Sequence, residues 1–356
     1  PIRHRAHRAA VSIRPAGDFK TSYARDMALL DTRFTRVGFG LLVALLLLAP
    51  LLLGRYLFLL NAIGIFAIGA VGLSLLTGFA GQISLGHAAF MAVGAYTSWL
   101  ATTRLGVPFL LALPLAGLTA FLVGALVGLP SLRIKGLYLA IATLAFQFIT
   151  EYVIIHTVGG SGGNVVPAPR IGGLQVRGET MFYFLLLPVW LVGGIFAANL
   201  VRGRVGLALM AVRDRDYAAQ VLGVDLLSTK TLAFALAALY AGVAGSLFAH
   251  YNRVISSEHF GIIQSIDFIA MIVIGGLHSI WGPHLGAAFV ILLGQVLKIV
   301  TPAVVALAPG FGKAATSVWE IVFGALLIGL LIWEPGGLAM LLRKFKRYLD
   351  VWPFTY

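Results

Sequence analysis

A chain of 356 residues that is 60% hydrophobic and 11% charged, with a mean hydropathy of +0.96, cannot wrap a water-soluble fold in polar surface, since soluble domains carry about a quarter of their residues as charges. It has no cysteine, which excludes disulfides and thiolate metal centres. The formal net charge is +13, but 19 of the 26 Lys and Arg fall in four clusters beside apolar runs (1–36, 131–136, 202–230 and 343–350), the pattern of flanks that set topology and not of a nucleic-acid surface.

The expected class is an all-α membrane protein with about ten transmembrane helices, because a helix satisfies its own backbone groups in lipid. Residues 1–37 are long, basic and lack a small-residue cleavage site after the first apolar run. They read as a cytoplasmic N-terminal tail and not as a secretory signal, with an interfacial helix from Tyr23 to Phe34. The membrane domain occupies 38–342. About 20 mostly apolar residues cross a bilayer core, and the expected spans are 38–53, 57–77, 83–103, 108–129, 137–157, 181–201, 229–251, 261–277, 282–301 and 316–334. The second follows Gly54 and Arg55, the third follows the turn Thr77-Gly78-Phe79-Ala80-Gly81, and the fourth begins at Pro108. Residues 343–356 form a basic C-terminal tail. With the N-terminus inside, ten crossings bring all four basic clusters to one face, whereas an odd number would put the two basic termini on opposite faces.

Two loops are long. The outer one, 158–180, carries Gly159-Gly160-Ser161-Gly162-Gly163-Asn164 and then Pro167 and Pro169. The inner one, 202–230, contains an amphipathic run with Met210, Val212, Tyr217, Val221 and Leu222 on one face and Arg213, Asp214, Asp216 and Gln220 on the other. That pattern predicts a short helix along the cytoplasmic surface.

Ionisable groups at membrane depth are few: Glu151, His156, Asp267, Lys298 and Glu320, with His87 beside a turn. A charge at the bilayer centre costs at least about 2.5–3.5 kcal/mol. Such a group faces protein or water, unless it lies near a span end and reaches the headgroups. The segments Gly81-Gln82-Ile83-Ser84-Leu85-Gly86-His87-Ala88-Ala89-Phe90 and Gly276 to Phe289 echo one another. Paired, glycine-interrupted segments point to the substrate route in transporters built from repeats; chance likeness of small-residue helices is the competing reading. Ser84, Gly86, His87 and Asp267 are thus the candidates for a substrate path. There is no G-x-S-x-G elbow, carboxylate pair or metal cluster. Gly310-Phe311-Gly312-Lys313 is not a phosphate loop, because Leu307 and Ala314 stand where Gly and Ser or Thr are needed.

Several motifs together resemble the LivM-type permease of bacterial branched-chain amino-acid ABC importers. They are Gly81 to Phe90 with Val93-Gly94-Ala95-Tyr96, Gly128 to Ala140, the Gly-Gly-Ser-Gly-Gly loop, Ala211-Val212-Arg213-Asp214-Arg215-Asp216, Ala218-Ala219 with Leu222-Gly223-Val224, and Ile274-Gly275-Gly276-Leu277. The likeness covers about 40–335 and leaves the basic tail 1–36 uncovered. It implies a type II-like ABC importer permease fold in the bacterial inner membrane, with both termini cytoplasmic. It also implies a pore shared with a second homologous, LivH-like permease, two cytoplasmic ATPase subunits that bind ATP and Mg, and a periplasmic solute-binding protein. No cofactor, metal or nucleic acid is expected on this chain. The cargo would be a branched-chain or hydrophobic amino acid or a similar small polar metabolite, since relatives of this type also carry urea, amides and short acids. Such permeases seat a short coupling helix on the ATPase. Ala218, Ala219 and Gly223 match its Ala-Ala…Gly signature, with Arg213, Asp214, Asp216 and Tyr217 beside them. The usual acidic residue before Ala-Ala is Tyr217 here, and Asp216 is one position earlier. The competing functions are an ion- or proton-coupled secondary transporter, using Asp267 or Glu151, and a membrane enzyme.

Overall fold

The computed structural model describes residues 33–132, 134–159, 163–171, 173–307, 321, 324–325, 328–329, 332, 334 and 336–351. The tail 1–32, Arg133, Gly160–Gly162, the Gly310–Lys313 motif, Glu320 and most of the expected span 316–334 lie outside them.

Twelve helices are described in chain order: α1 (Arg33–Leu53), α2 (Leu57–Leu73), α3 (His87–Thr103), α4 (Phe109–Gly128), α5 (Leu137–Ile154), α6 (Gly178–Arg202), α7 (Arg204–Asp214), α8 (Asp216–Val221), α9 (Leu226–Asn252), α10 (Ile262–Gly275), α11 (Gly282–Leu307) and α12 (Leu338–Val351). Among the described residues, seven segments are long and apolar enough to cross a membrane. The first, Val37–Phe79, is 43 residues long, about 65 Å if straight, roughly twice a bilayer core. It is not straight. Tyr183 donates to the carbonyl of Leu46 at 2.7 Å, and Glu179, one turn earlier on α6, accepts from Asn61 Nδ2 at 2.8 Å. A straight helix would hold Leu46 and Asn61 about 22 Å apart. The chain folds back at Gly54, whose φ of +44° is open to glycine and strained for other residues.

Several expected spans change their ends, and the one expected at 282–301 runs on to Leu307. The span expected at 83–103 becomes helical only at His87, because residues 80–86 are turn and irregular chain. The span expected at 261–277 stops at Gly275, where Gly276 turns with φ +111°. The helix content also has a small β exception. Asn164–Val165 (β1) pairs antiparallel with Val254–Ile255 (β4), and Arg170–Ile171 (β2) with Leu174–Gln175 (β3). The glycines and prolines of the 158–180 loop prevent a helix there, and short ladders satisfy part of the backbone instead.

The core gathers around α9. Its Ala233, Ala237, Ala238, Ala241, Ala244 and Ala249 are buried. A Cβ built on Gly245 would stand 1.9 Å from the Met91 carbonyl, and one on Gly94 2.2 Å from the Gly242 carbonyl. Backbone thus meets backbone between α3 and α9, the packing that small residues permit in membranes. A buried polar chain runs through the same contact: Ser246 donates to Ser98 at 2.8 Å, Ser98 to His250 Nε2 at 3.0 Å, and His250 Nδ1 to the Pro167 carbonyl at 3.0 Å.

The helix ends sort to two ends of the bundle. Ser131, Lys135, Arg213, Asp216 and Lys230 line one cleft, and the Gly276 turn meets Gly336 there. Thr102, Phe109, Pro167, Arg170 and His250 line a cavity of about 700 Å³ at the other. The first is the basic end.

Candidate functional site

The break between α2 and α3 places polar groups inside an apolar bundle. α3 begins at His87 with Gly86 as its cap and no side-chain cap of its own. Helices leave their first amides without internal partners, and here neighbouring helices serve two amides at the start of α3. Ala88 donates to Ser265 Oγ of α10 at 3.0 Å, and Leu85, just before the helix, donates to Thr143 Oγ1 of α5 at 2.9 Å. Ser265 donates on to Gln147 Oε1 at 3.3 Å, and Gln147 Nε2 donates to the Phe260 carbonyl. Gly86 fits because a Cβ there would be 2.2 Å from the Thr143 carbonyl.

His87 is fully buried. Its Nε2 lies 2.8 Å from the Gly69 carbonyl, so that nitrogen carries the proton, and the ring stands edge-on to Phe268 with centroids 5.0 Å apart. Nδ1 has no partner among the described residues. Ser84 is buried beside Gly86, its Oγ 3.4 Å from the Gly86 amide. Of the four expected path residues, Ser84, Gly86 and His87 therefore meet at the head of α3. Asp267 lies on α10 between Ser265 and Phe268, which touch that head, and is half-buried. Thr143, Gln147 and Ser265 were not among the sequence candidates. Thr143 and Gln147 lie four apart on α5, hence on one face, and that spacing was the available signal. Of the other charged candidates, His156 and Lys298 are exposed and Glu151 is half-buried. Among the described residues no group of three His, Asp or Glu side chains could hold a metal ion.

At the basic end, the inner loop is two helices where the amphipathic run predicts one short helix. Arg215, extended at φ −157° and ψ 100°, separates α7 from α8. The break accompanies two separate anchors. Arg213 Nη1 donates to the Gly78 carbonyl at 3.1 Å, and its Nε and Nη2 pair with Asp214 Oδ1 at 2.9 Å. Asp216 binds Lys135 and lies 3.8 Å from Lys230 on α9. The hydrogen bond from Lys135 holds the Asp216 carboxyl below the usual carboxylate range and raises the lysine above its own. Lys135 also stands 4.8 Å from the Tyr217 ring centroid. Arg213 and Asp216 are therefore tied into their own chain.

Beside the exposed Asp214, Arg215 and Gln220, α8 leaves an apolar face open. Tyr217, Val221 and Leu222 are 75%, 88% and 83% exposed, and Ala218 is exposed with them. Their spacing of i, i+1, i+4 and i+5 is one helix face. Ala219 points the other way and is buried. Gly223, φ +87°, ends α8 by a paired closure in which Val224 N–H reaches the Ala219 carbonyl and Gly223 N–H that of Gln220, both at 3.0 Å. Asp225 then caps α9 by accepting from Leu227 N–H at 3.0 Å.

Residues 55–331 match the family described as the branched-chain amino acid transport system permease component. The high-affinity branched-chain amino acid transport system permease protein LivM of Salmonella typhimurium is 31% identical over 306 residues, which cover 78% of this chain and 68% of that protein. LivM of Escherichia coli is 30% identical over the same shares. The probable branched-chain amino acid transport permease protein LivH of Methanocaldococcus jannaschii is 26% identical over 298 residues, 79% of this chain and 90% of that protein. No solved structure matches the chain.

Proposed function

Since this chain belongs to the family of branched-chain amino acid transport permease components, and is thus a multi-pass membrane transport subunit and not an enzyme, we propose that it forms half of the pore of an ATP-driven importer in a bacterial inner membrane. The cargo is a branched-chain or hydrophobic amino acid or a similar small polar metabolite. A second, LivH-like permease completes the pore, a periplasmic solute-binding protein delivers the cargo, and two cytoplasmic ATPase subunits hold ATP and Mg. Ten crossings, with both termini and the basic end cytoplasmic, fit this arrangement. So does the positive-inside bias of Lys135, Arg202, Arg204, Arg213, Arg215 and Lys230.

The observation that carries the reading is the open face of α8. Tyr217, Ala218, Val221 and Leu222 are held out from the basic end by Asp216 and by the Gly223 turn. An apolar face braced from behind suits a protein groove. The Ser84–His87 head of α3, with Thr143, Gln147 and Ser265 around it and Asp267 beside Ser265 and Phe268 on α10, is the proposed substrate path; its hydroxyl, amide and imidazole groups suit a small polar solute.

Co-purification tests the assembly. The chain co-expressed with its neighbouring permease and ATPase genes should elute as one complex, and Leu222→Asp should lose the ATPase subunits while keeping the permease. Retention of the ATPases by Leu222→Asp together with Val221→Asp would remove α8 as their contact. Solute uptake that runs without any ATPase would favour the ion-coupled reading.

A further inference from the structure

The two interrupted segments of this chain, the break after α2 and the turn after α10, meet at one place on the basic end. A Cβ on Gly78 would lie 1.9 Å from the Leu277 carbonyl, and Ser74 Oγ donates to the same carbonyl at 3.4 Å. The side chain that reaches this junction from the inner helices is Arg213, in the last turn of α7. Its Nη1 holds the Gly78 carbonyl, and Asp214 clamps the far side of the guanidinium. Its stem lies against Gly81, where a Cβ would come within 2.6 Å of Arg213 Cγ. Gly81 has φ +69°, so both space and backbone conformation favour glycine there.

The carbonyl that Arg213 holds belongs to an irregular stretch. Ser74–Phe79 is π-helical, with Ala80 N–H bonded back five residues to Leu75 and Gln82 N–H six residues to Leu76. Such wide turns are uncommon and recur at functional sites. Gly81 is followed within six residues by Ser84, Gly86 and His87, the head of α3. One side chain therefore spans from the α7–α8 pair to the segment that leads into the proposed substrate path, and it is turned away from the open Tyr217, Val221 and Leu222 face.

We infer that Arg213 is a positioning residue that transmits movement of the α7–α8 pair to segment 78–86, and that it does not itself touch the ATPase. The inference rests on the reading of α8 as the ATPase contact. A push on α8 moves α7 through the short Arg215 link, the guanidinium carries the Gly78 carbonyl with it, and the irregular segment 80–86 shifts at the head of α3. Arginine is suited to this because its planar fork binds the carbonyl and the Asp214 carboxylate at once, which a lysine ammonium cannot do in a fixed plane.

The test is the ratio of solute transported to ATP hydrolysed, measured on the whole complex in proteoliposomes for wild type, R213A and R213K. R213A is expected to keep its ATPase subunits on co-purification and to lose about tenfold in that ratio, the size of effect one charge-assisted hydrogen bond carries; R213K should fall between. Loss of the ATPase subunits from R213A would make Arg213 a docking residue and overturn the inference. A ratio within twofold of wild type would also overturn it, while leaving the ATPase reading intact. Should R213A fail to assemble, an unchanged ratio in R213K overturns the inference and a reduced one supports it. Wild-type uptake that needs no ATP would instead remove the ATPase reading itself.

Discussion

Ser265 on α10 caps a helix that is not its own, accepting at 3.0 Å from the Ala88 amide in the first turn of α3. Through its second bond, to Gln147 at 3.3 Å, the same hydroxyl joins α3, α5 and α10 at the head of the proposed path.

Removing that hydroxyl leaves the Ala88 N–H and the Gln147 carbonyl oxygen buried without partners. Ser265→Ala should destabilise the permease by about 1–3 kcal/mol, the cost of an unsatisfied buried group. Thermal unfolding in detergent or nanodiscs measures this, and Ser265→Thr, which keeps the hydroxyl, should lose less. A Ser265→Ala midpoint equal to wild type would show that the hydroxyl does not hold the three helices together.

The α3–α9 contact predicts a packing defect. With the Met91 carbonyl 1.9 Å from any Cβ on Gly245, Gly245→Ala must force the two helices apart. Overpacking of this kind costs typically about 1–3 kcal/mol. Gly294, with nothing within 4 Å, is the control: Gly294→Ala should be nearly neutral. Equal melting curves for both variants would contradict the packing.

Much of this was legible before the fold was known. Apolar runs separated by Gly54–Arg55, Pro108 and the basic loops mark the helices, because lipid demands continuous hydrophobic length. The glycine-rich turn ending at Gly81 marked the break before His87. The length of that break was not legible, since the irregular segment 80–86 and the start of α3 are stable only where Thr143 and Ser265 from distant helices satisfy the Leu85 and Ala88 amides. The ties of Arg213 and Asp216 were likewise not legible. Their partners, Gly78, Lys135 and Lys230, lie up to 135 residues away in sequence, and amphipathic spacing sees only neighbours.

Asp216 and Lys135 give a pH expectation with a definite sign. Asp216 titrates lower in the folded state because Lys135 donates to it, so its contribution is complete above the unfolded carboxylate pKa of about 4 and is lost as pH falls below that. Lys135 is raised, so its contribution is complete below the unfolded value of about 10 and is lost as pH rises past it. Protection of the α8 amides, corrected for intrinsic exchange, should therefore be flat between pH 5.5 and pH 8.5, the estimated window set by those two ordinary values, and should drop in Asp216→Asn. Protection that changes across that window in the wild type would assign the anchoring to another group.

Single cysteines test the orientation without background, because the native chain has none. Leu174 and Leu222 are 78% and 83% exposed at opposite ends of the bundle. In whole cells an impermeant thiol reagent should label Leu174→Cys and not Leu222→Cys, which should react only after permeabilisation. The reverse pattern would invert the topology.

The proposed importer moves its solute only when an ATPase works beneath it. The direct measurement is uptake of radiolabelled leucine into proteoliposomes holding the full complex, with the solute-binding protein outside and ATP and Mg sealed within. Accumulation against a gradient is expected with ATP, and none with a nonhydrolysable analogue or without the ATPase subunits; if leucine fails in every arm, the same vesicles are offered isoleucine, urea and short amides. Accumulation that proceeds without ATP and collapses when a proton or sodium gradient is dissipated would contradict the claim and make this chain an ion-coupled transporter.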